Sequence, residues 1–297
     1  MHMDKFPSLT LGIPFWHVRI WLPDLEVGYY RGTRFDHAGV FASVRLFGKE
    51  FCAPWLEACD PFRHDNVQGP AEEFGVVGFA EAAPGETFLK IGVGLLRQPD
   101  SAPYDHFRLY EIADPGCREI VSDKYSVTMR HILDGYYDYT KTIRLGPLGE
   151  MRISHSLTAF RPLQSNVYNH NFFTLGSYSI RSGREVLFPY PVDGTWREDY
   201  DSIYPMPGSS IAFRRTLKKG DSVFCGGIHA VKGDTSPYRL VIRHNGTGQS
   251  VEVSSPTPYN RANFWANHRV ACIEPFVEFA LAPGETFTQD IDYKLSI

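Results

Sequence analysis

Two ionisable residues stand where their neighbours could give them chemical work. The stretch SNVYNHNFFTLGSY, residues 165–178, sets His170 between Asn169 and Asn171 at the mouth of an apolar run. A histidine gains or loses its proton near neutral pH, and flanking amides can orient it or hold hydroxyl groups. The competing reading is a structural histidine satisfied by backbone groups. Glu274 follows Ala271-Cys272-Ile273 and precedes Pro275-Phe276. A lone carboxylate in such a run is expected to be desolvated, which raises its pKa toward the range of a general base. Its competing reading is an outward-facing glutamate on an edge strand, which Pro275 favours because it lacks an amide proton. If both residues are catalytic, they are expected to face each other across a pocket.

Other charges could support such a pair. YYRGTRFD carries Arg31 and Arg34 three residues apart. On a strand that spacing puts them on opposite faces, so one is expected to line a groove and the other to be structural or exposed. An inward arginine binds a carboxylate, a phosphate or a hydroxyl pair. AEEFG places Glu72 and Glu73 in succession, one expected toward solvent and one toward the groove. Lys90 is a cation in the otherwise apolar FLKIGVG. His64 and Asp65 with a nearby glutamate could ligate a divalent ion, but no standard ligand spacing supports it.

The elements that must position these groups are strands. In the C-terminal FTQDIDYKLSI, Phe287, Ile291, Tyr293, Leu295 and Ile297 share one parity, with Gln289 interrupting. That pattern predicts one dry face and one wet face. YRLVIRHNGTGQSVEVSS predicts a hairpin around Asn245-Gly246, a pair that accepts positive φ. KTIRLGPLGEMRISHSLTAF and GVFASVRLFGKEF predict two more. The string APGETF occurs at 83–88 and again at 282–287, and each copy predicts a Pro-Gly turn into a strand. The best helical candidate, WLEACDPF, is cut short by Pro61. No break in composition marks a boundary, so residues 1–297 are expected to form one large antiparallel β-sandwich.

The chain has 297 residues, 43% of them hydrophobic and 14% aromatic, which suffices for a large core. A net charge of −4 and the lack of basic runs argue against a nucleic-acid partner. No apolar span long enough for a bilayer and no signal-like N-terminus occur, so a soluble, cytoplasmic protein is expected, monomeric or homodimeric. Five cysteines at scattered spacings predict reduced, mostly buried thiols and no zinc site.

The order of these motifs resembles the galactose mutarotase-like (aldose 1-epimerase) superfamily. NHNFFTL near mid-chain, VEVSSPTPYNRANFW after it, and IEPF leading into APGETF follow the family's series, and NVQGPAEEFG is placed like a GG-x-P loop of its hexose-phosphate branch. The resemblance implies a β-supersandwich with a sugar groove on one sheet and no cofactor or metal. His170 would be the general acid at the ring oxygen and Glu274 the base on the anomeric hydroxyl. The family's second histidine has no counterpart after GPAEEFG. FCGGIHAVKGDTSPYRL holds His229 and Asp234, but not in the family's aspartate pattern. The expected substrate-gripping set is therefore Arg31, Arg34, Glu72, Glu73 and Lys90, joined by Asn169, Asn171, His229 and Trp265. The implied ligand is a small carbohydrate. The implied reaction is aldose 1-epimerisation, the alternatives being a sugar lyase or isomerase using the same pair and a carbohydrate-binding protein without turnover.

Overall fold

Alternation with a period of two marks many of the strands, such as Ser126–Leu133 and Tyr137–Leu145. The structure, a computed structural model, describes residues 5–55, 60–63, 67–175, 183–233 and 238–297. Every regular element among the described residues is a β-strand, and no described helix is long and apolar enough to cross a membrane. Residues 56–59 of WLEACDPF, like His64, Asp65 and Asp234, lie outside the described residues.

The strands form a fourteen-stranded sheet and two four-stranded sheets. The N-terminal sheet lays Leu11, Val18, Ile20, Phe41 and Val44 against Val127, Ile153, Val186 and Ile291 of the large one, in one apolar cluster. Burying such a face removes roughly 25 cal/mol of unfavourable hydration for each Å² of apolar surface. Thr286–Ser296 shows the rule in one strand: Ile291, Tyr293 and Leu295 are buried, as is Gln289, while Thr288, Lys294 and Ser296 are exposed. The described cysteines are free thiols, with Cys52, Cys225 and Cys272 buried and Cys117 exposed.

The expected hairpins form. Val40–Leu46 pairs with Lys49–Glu50 through Phe47 and Gly48, both at positive φ, which matches the strands' twist. Tyr238–His244 pairs with Ser250–Ser255, but the left-handed residue is Gly248 rather than Gly246. The reason lies in His244, whose Nδ1 accepts hydrogen bonds from the amides of Gly246 and Thr247 and widens the loop. The two APGETF copies fold alike. Gly85 and Gly284 take φ of 92° and 86°. Glu86 and Glu285 each reach back to accept a hydrogen bond from the amide of the leading alanine, at 2.8 and 2.7 Å.

Open space surrounds both glycines, so only backbone strain opposes a side chain there. Gly85→Ala and Gly284→Ala are each expected to lower stability by about 1–2 kcal/mol. Urea unfolding measures this, and unchanged midpoints in both variants would contradict the shared turn.

Candidate functional site

Five neighbouring strands of the large sheet make the floor of the site: Gly69–Phe74, Leu163–Phe172, Ala271–Leu281, Arg261–Asn267 and Ser222–Ala230, in that spatial order. Side-chain parity then decides what each strand shows. Tyr168 pairs with Glu73 and His170 with Ala71 across one ladder. Asn263 pairs with Glu274, and Trp265 with Cys272, across another. One face therefore carries Glu73, Tyr168, His170, Phe172, Cys272, Glu274, Asn263 and Trp265. The other carries Glu72, Asn169 and Asn171.

On the first face His170 lies between two carboxylates. Its Nδ1 is 3.0 Å from Glu274 Oε1 and its Nε2 is 3.3 Å from Glu73 Oε2. Glu73 in turn accepts a hydrogen bond from Arg34 Nε at 2.6 Å and lies 3.5 Å from Lys90 Nζ. Phe35 meets the imidazole edge to face at 4.9 Å, and Phe172 stacks on it at 5.4 Å. Burial would strip His170 of its charge, but Glu274 and Glu73 outweigh burial and hold its pKa above the ordinary histidine value. Burial would likewise raise Glu274, but His170 and then Arg34 outweigh it and hold the carboxyl below its ordinary value. Burial is also opposed at Glu73, where Arg34 and Lys90 hold the carboxyl well below its usual range. Each member of the pair therefore favours the charged form of the other.

The expectation of a raised Glu274 pKa is corrected here, because Glu274 is not a lone carboxylate. The expected gap between the two residues is corrected too: their side chains touch. Glu274 and His170 nonetheless both line a cleft of 280 Å³ with Arg34, Trp55, His106, Phe107, Tyr168, Phe172, Arg197, Phe224, Asn263 and Trp265. Trp265 meets Trp55 edge to face at 4.9 Å.

The remaining sequence candidates lie elsewhere. Arg31 donates to the Glu26 carbonyl at 2.6 Å and packs over Phe62, outside the cleft. Arg34 lines the cleft, so the two arginines do divide, though residues 28–38 are loop rather than strand. Glu72, expected at solvent if not in the groove, is buried on the inner face and paired with Lys141. Burial opposes but Lys141 prevails, and its carboxyl is pulled down to about 2. Asn169 bonds Glu72, and Tyr293 donates to both Asn169 and Asn171. These two amides serve the interior and do not reach the cleft, because their parity is opposite to that of His170. Lys90 sits one step behind the cleft wall, against Glu73 and the Phe74 carbonyl. His229 lies past a bulge in its strand, exposed, with Nδ1 2.9 Å from the Gly227 carbonyl. Tyr168 and Phe172 share His170's parity and were legible by it, whereas Arg197, His106 and Phe107 arrive on loops that carry no periodic signal.

His170, Cys272 and Glu274 place donor atoms within 4.8 Å of one another, the one such grouping among the described residues. Arg34 and Lys90 oppose a cation there, and burial holds the Cys272 thiol protonated, well above its usual pKa.

Removing the charge on Glu73 would leave Arg34 and Lys90 buried without a counter-charge. Glu73→Ala is expected to cost about 3–5 kcal/mol of stability. A loss under 1 kcal/mol in chemical denaturation would show that the hub is not needed to hold the site.

No family model and no curated protein matches the sequence. Solved structures do match over their whole length. A putative aldose 1-epimerase from Escherichia coli K12 is 13% identical with a TM-score of 0.58, covering 98% of this chain and 99% of that one. A galactose mutarotase related enzyme from Lactobacillus acidophilus is 14% identical with a TM-score of 0.55, covering 98% and 97%. A galactose mutarotase-like protein from Lactobacillus casei is 11% identical with a TM-score of 0.54, covering 97% and 100%. The architecture of this chain is the all-β, galactose mutarotase-like fold, reached by a widely diverged sequence.

Proposed function

We propose that the protein is an acid–base isomerase of the aldose 1-epimerase type, acting on a small sugar in the cleft between Trp55, Trp265 and the His170–Glu274 pair. One observation carries the reading. His170 Nδ1 and Glu274 Oε1 lie 3.0 Å apart on the wall of one open cleft. Inverting an anomeric carbon requires a proton to leave the O1 hydroxyl while another reaches O5. Both oxygens hang on C1, so acid and base must stand side by side rather than on opposite sides of the ring. The sugar's two oxygens replace the direct contact between the side chains. Glu274 takes the O1 proton, the C1–O5 bond breaks as C1=O1 forms, and O5 takes the proton from His170. Rotation about C1–C2 and the reverse transfers close the ring on the other carbonyl face. Fixed neighbours that set one group charged and the other ready to accept are what such paired transfer uses.

The cleft volume lies just below the usual range of ligand sites, roughly 300 to 1,000 Å³, and suits a single sugar ring. Trp55 and Trp265, both half-buried at the cleft, offer ring surface to its C–H groups. A binding protein without turnover is the second reading. It is favoured by His170 having both ring nitrogens already engaged by carboxylates.

Anomeric exchange by NMR separates the two. Glu274→Gln is expected to lower the exchange rate by a factor on the order of 10² or more while ligand binding persists. His170→Asn is expected to do the same, and the double variant little worse than either, because the two act as one unit. Near-wild-type exchange in Glu274→Gln would exclude it as the base.

The pH dependence has a definite sign. Activity needs Glu274 ionised and His170 protonated. The acidic limb therefore falls below the ordinary glutamate value and the alkaline limb above the ordinary histidine value. Lowering ligand-independent support for the imidazolium by Glu73→Gln should move the alkaline limb to lower pH. An unmoved limb would show that Glu73 does not hold the acid's proton.

A further inference from the structure

We infer that one end of the sandwich is a peripheral membrane-binding surface, made by exposed apolar side chains on four hairpin turns and the cations among them, and that its partner is an anionic lipid bilayer. The inference is independent of how the cleft is read.

Four turns carry the surface. Ser8–Ile13 turns into Trp16–Trp21 at Pro14-Phe15, and Val40–Leu46 into Lys49–Glu50 at Phe47-Gly48. Cys117–Ser122 turns into Ser126–Leu133 through residues 123–125, and Tyr137–Leu145 into Glu150–Ala159 through residues 146–149. The fold brings these turns to one end. The Phe47 amide donates to the Phe15 carbonyl, the Gly12 amide to the Lys124 carbonyl and the Leu145 amide to the Tyr125 carbonyl. Leu145 packs beside Gly12, and Leu46 beside Gly149. Each turn shows one large apolar side chain to solvent: Phe15, Phe47, Tyr125 and Leu148 are all between 45% and 52% exposed.

Phe47 is the most telling of them. It stands at a φ of 46°, in the left-handed region, where Asn, Asp or Gly is the usual residue of a two-residue hairpin turn. A bulky side chain there is strained. Core packing does not explain the choice, because the ring is half exposed and stacks on Phe15, itself exposed, at 6.1 Å. Strain kept at such a position points to a use for the surface.

Charge names the partner. Lys49, Lys124 and Arg144 are exposed at these turns, and none of them forms an ion pair with a described carboxylate. The acids at this end are already committed. Asp123 accepts hydrogen bonds from the Tyr125 and Ser126 amides, Glu50 from the Val44 amide and Arg45, and Glu150 lies 3.9 Å from Lys294. A second copy docked through the same face would set these cations against one another. Apolar tips that enter the interfacial region, with lysine and arginine stems reaching lipid phosphates, are how peripheral proteins hold an anionic bilayer. Such a surface lies on the membrane and spans nothing. Its turns belong to none of the five strands that floor the cleft, so vesicle binding and cleft chemistry are separable.

Co-sedimentation with vesicles tests this, using phosphatidylcholine alone and an equimolar mixture with phosphatidylserine. Binding to the mixture is expected to be tighter by a factor on the order of 10², from roughly fivefold for each cation. Added salt should weaken it. Asn suits the left-handed turn, so Phe47→Asn is expected to keep or raise the melting temperature while vesicle binding falls roughly tenfold. Phe15→Ser is expected to act alike on binding, and Lys124→Gln to weaken it roughly fivefold. Val231→Ser, which removes an exposed apolar side chain outside the four turns, should leave binding as it was. Binding to neither kind of vesicle, equal binding to both, or undiminished binding in Phe47→Asn would each overturn the inference. So would a dimer in sedimentation velocity that Phe47→Asn dissolves, which would assign the face to a second copy of the chain.

Discussion

The site depends on one constraint: a histidine has been taken out of water, and carboxylates meet both of its ring nitrogens and favour its charged form. His170 is 1% exposed. Desolvation alone would leave it neutral. Glu274 and Glu73 oppose this, and Glu73 is in turn met by Arg34 and Lys90. Buried ion pairs of this kind seldom add net stability, since the cost of desolvating each ion rivals the attraction between them. Their effect here is to hold proton positions. The fold carries this cost because three adjacent strands bring the carboxylates and the imidazole together on one face.

The same strands hold a second polar set on their other face. Glu72, Lys141, Asp36 and Tyr139 meet there, tied to Asn169, Asn171 and Tyr293. Consecutive residues of one strand therefore serve different ends: Glu73 faces the cleft and Glu72 the interior, and Asn169 and His170 divide in the same way. A one-residue slip in register would exchange the two sets, which makes the inner network a lock on the geometry of the outer one.

Much of this was legible in the sequence. Alternation gave the strands, the hairpins and the dry face of Thr286–Ser296, and the repeated APGETF strings gave two matching turns. His170 and Glu274 stood out by their neighbours, and the order of motifs resembled the family whose fold the structure has. What was not legible has physical causes. Alternation says that Glu72 and Glu73 point apart, but not that both faces are covered, so the solvent-facing alternative failed. Asn169 and Asn171 looked like companions of His170 because they adjoin it, although their parity already set them on the other face. The pKa of Glu274 depends on Arg34, which is distant in sequence, and on its contact with His170, neither of which a local run reveals. Arg197 and Phe107 reach the cleft on irregular loops, where no periodicity reports direction.

Nitrogen-15 NMR of the imidazole rings, with His170 assigned by its absence in His170→Asn, tests the central claim most directly. The account predicts that at neutral pH His170 carries protons on both ring nitrogens and titrates above the ordinary histidine value of about 6.5. A neutral His170 at pH 7, with one bare ring nitrogen, would contradict it.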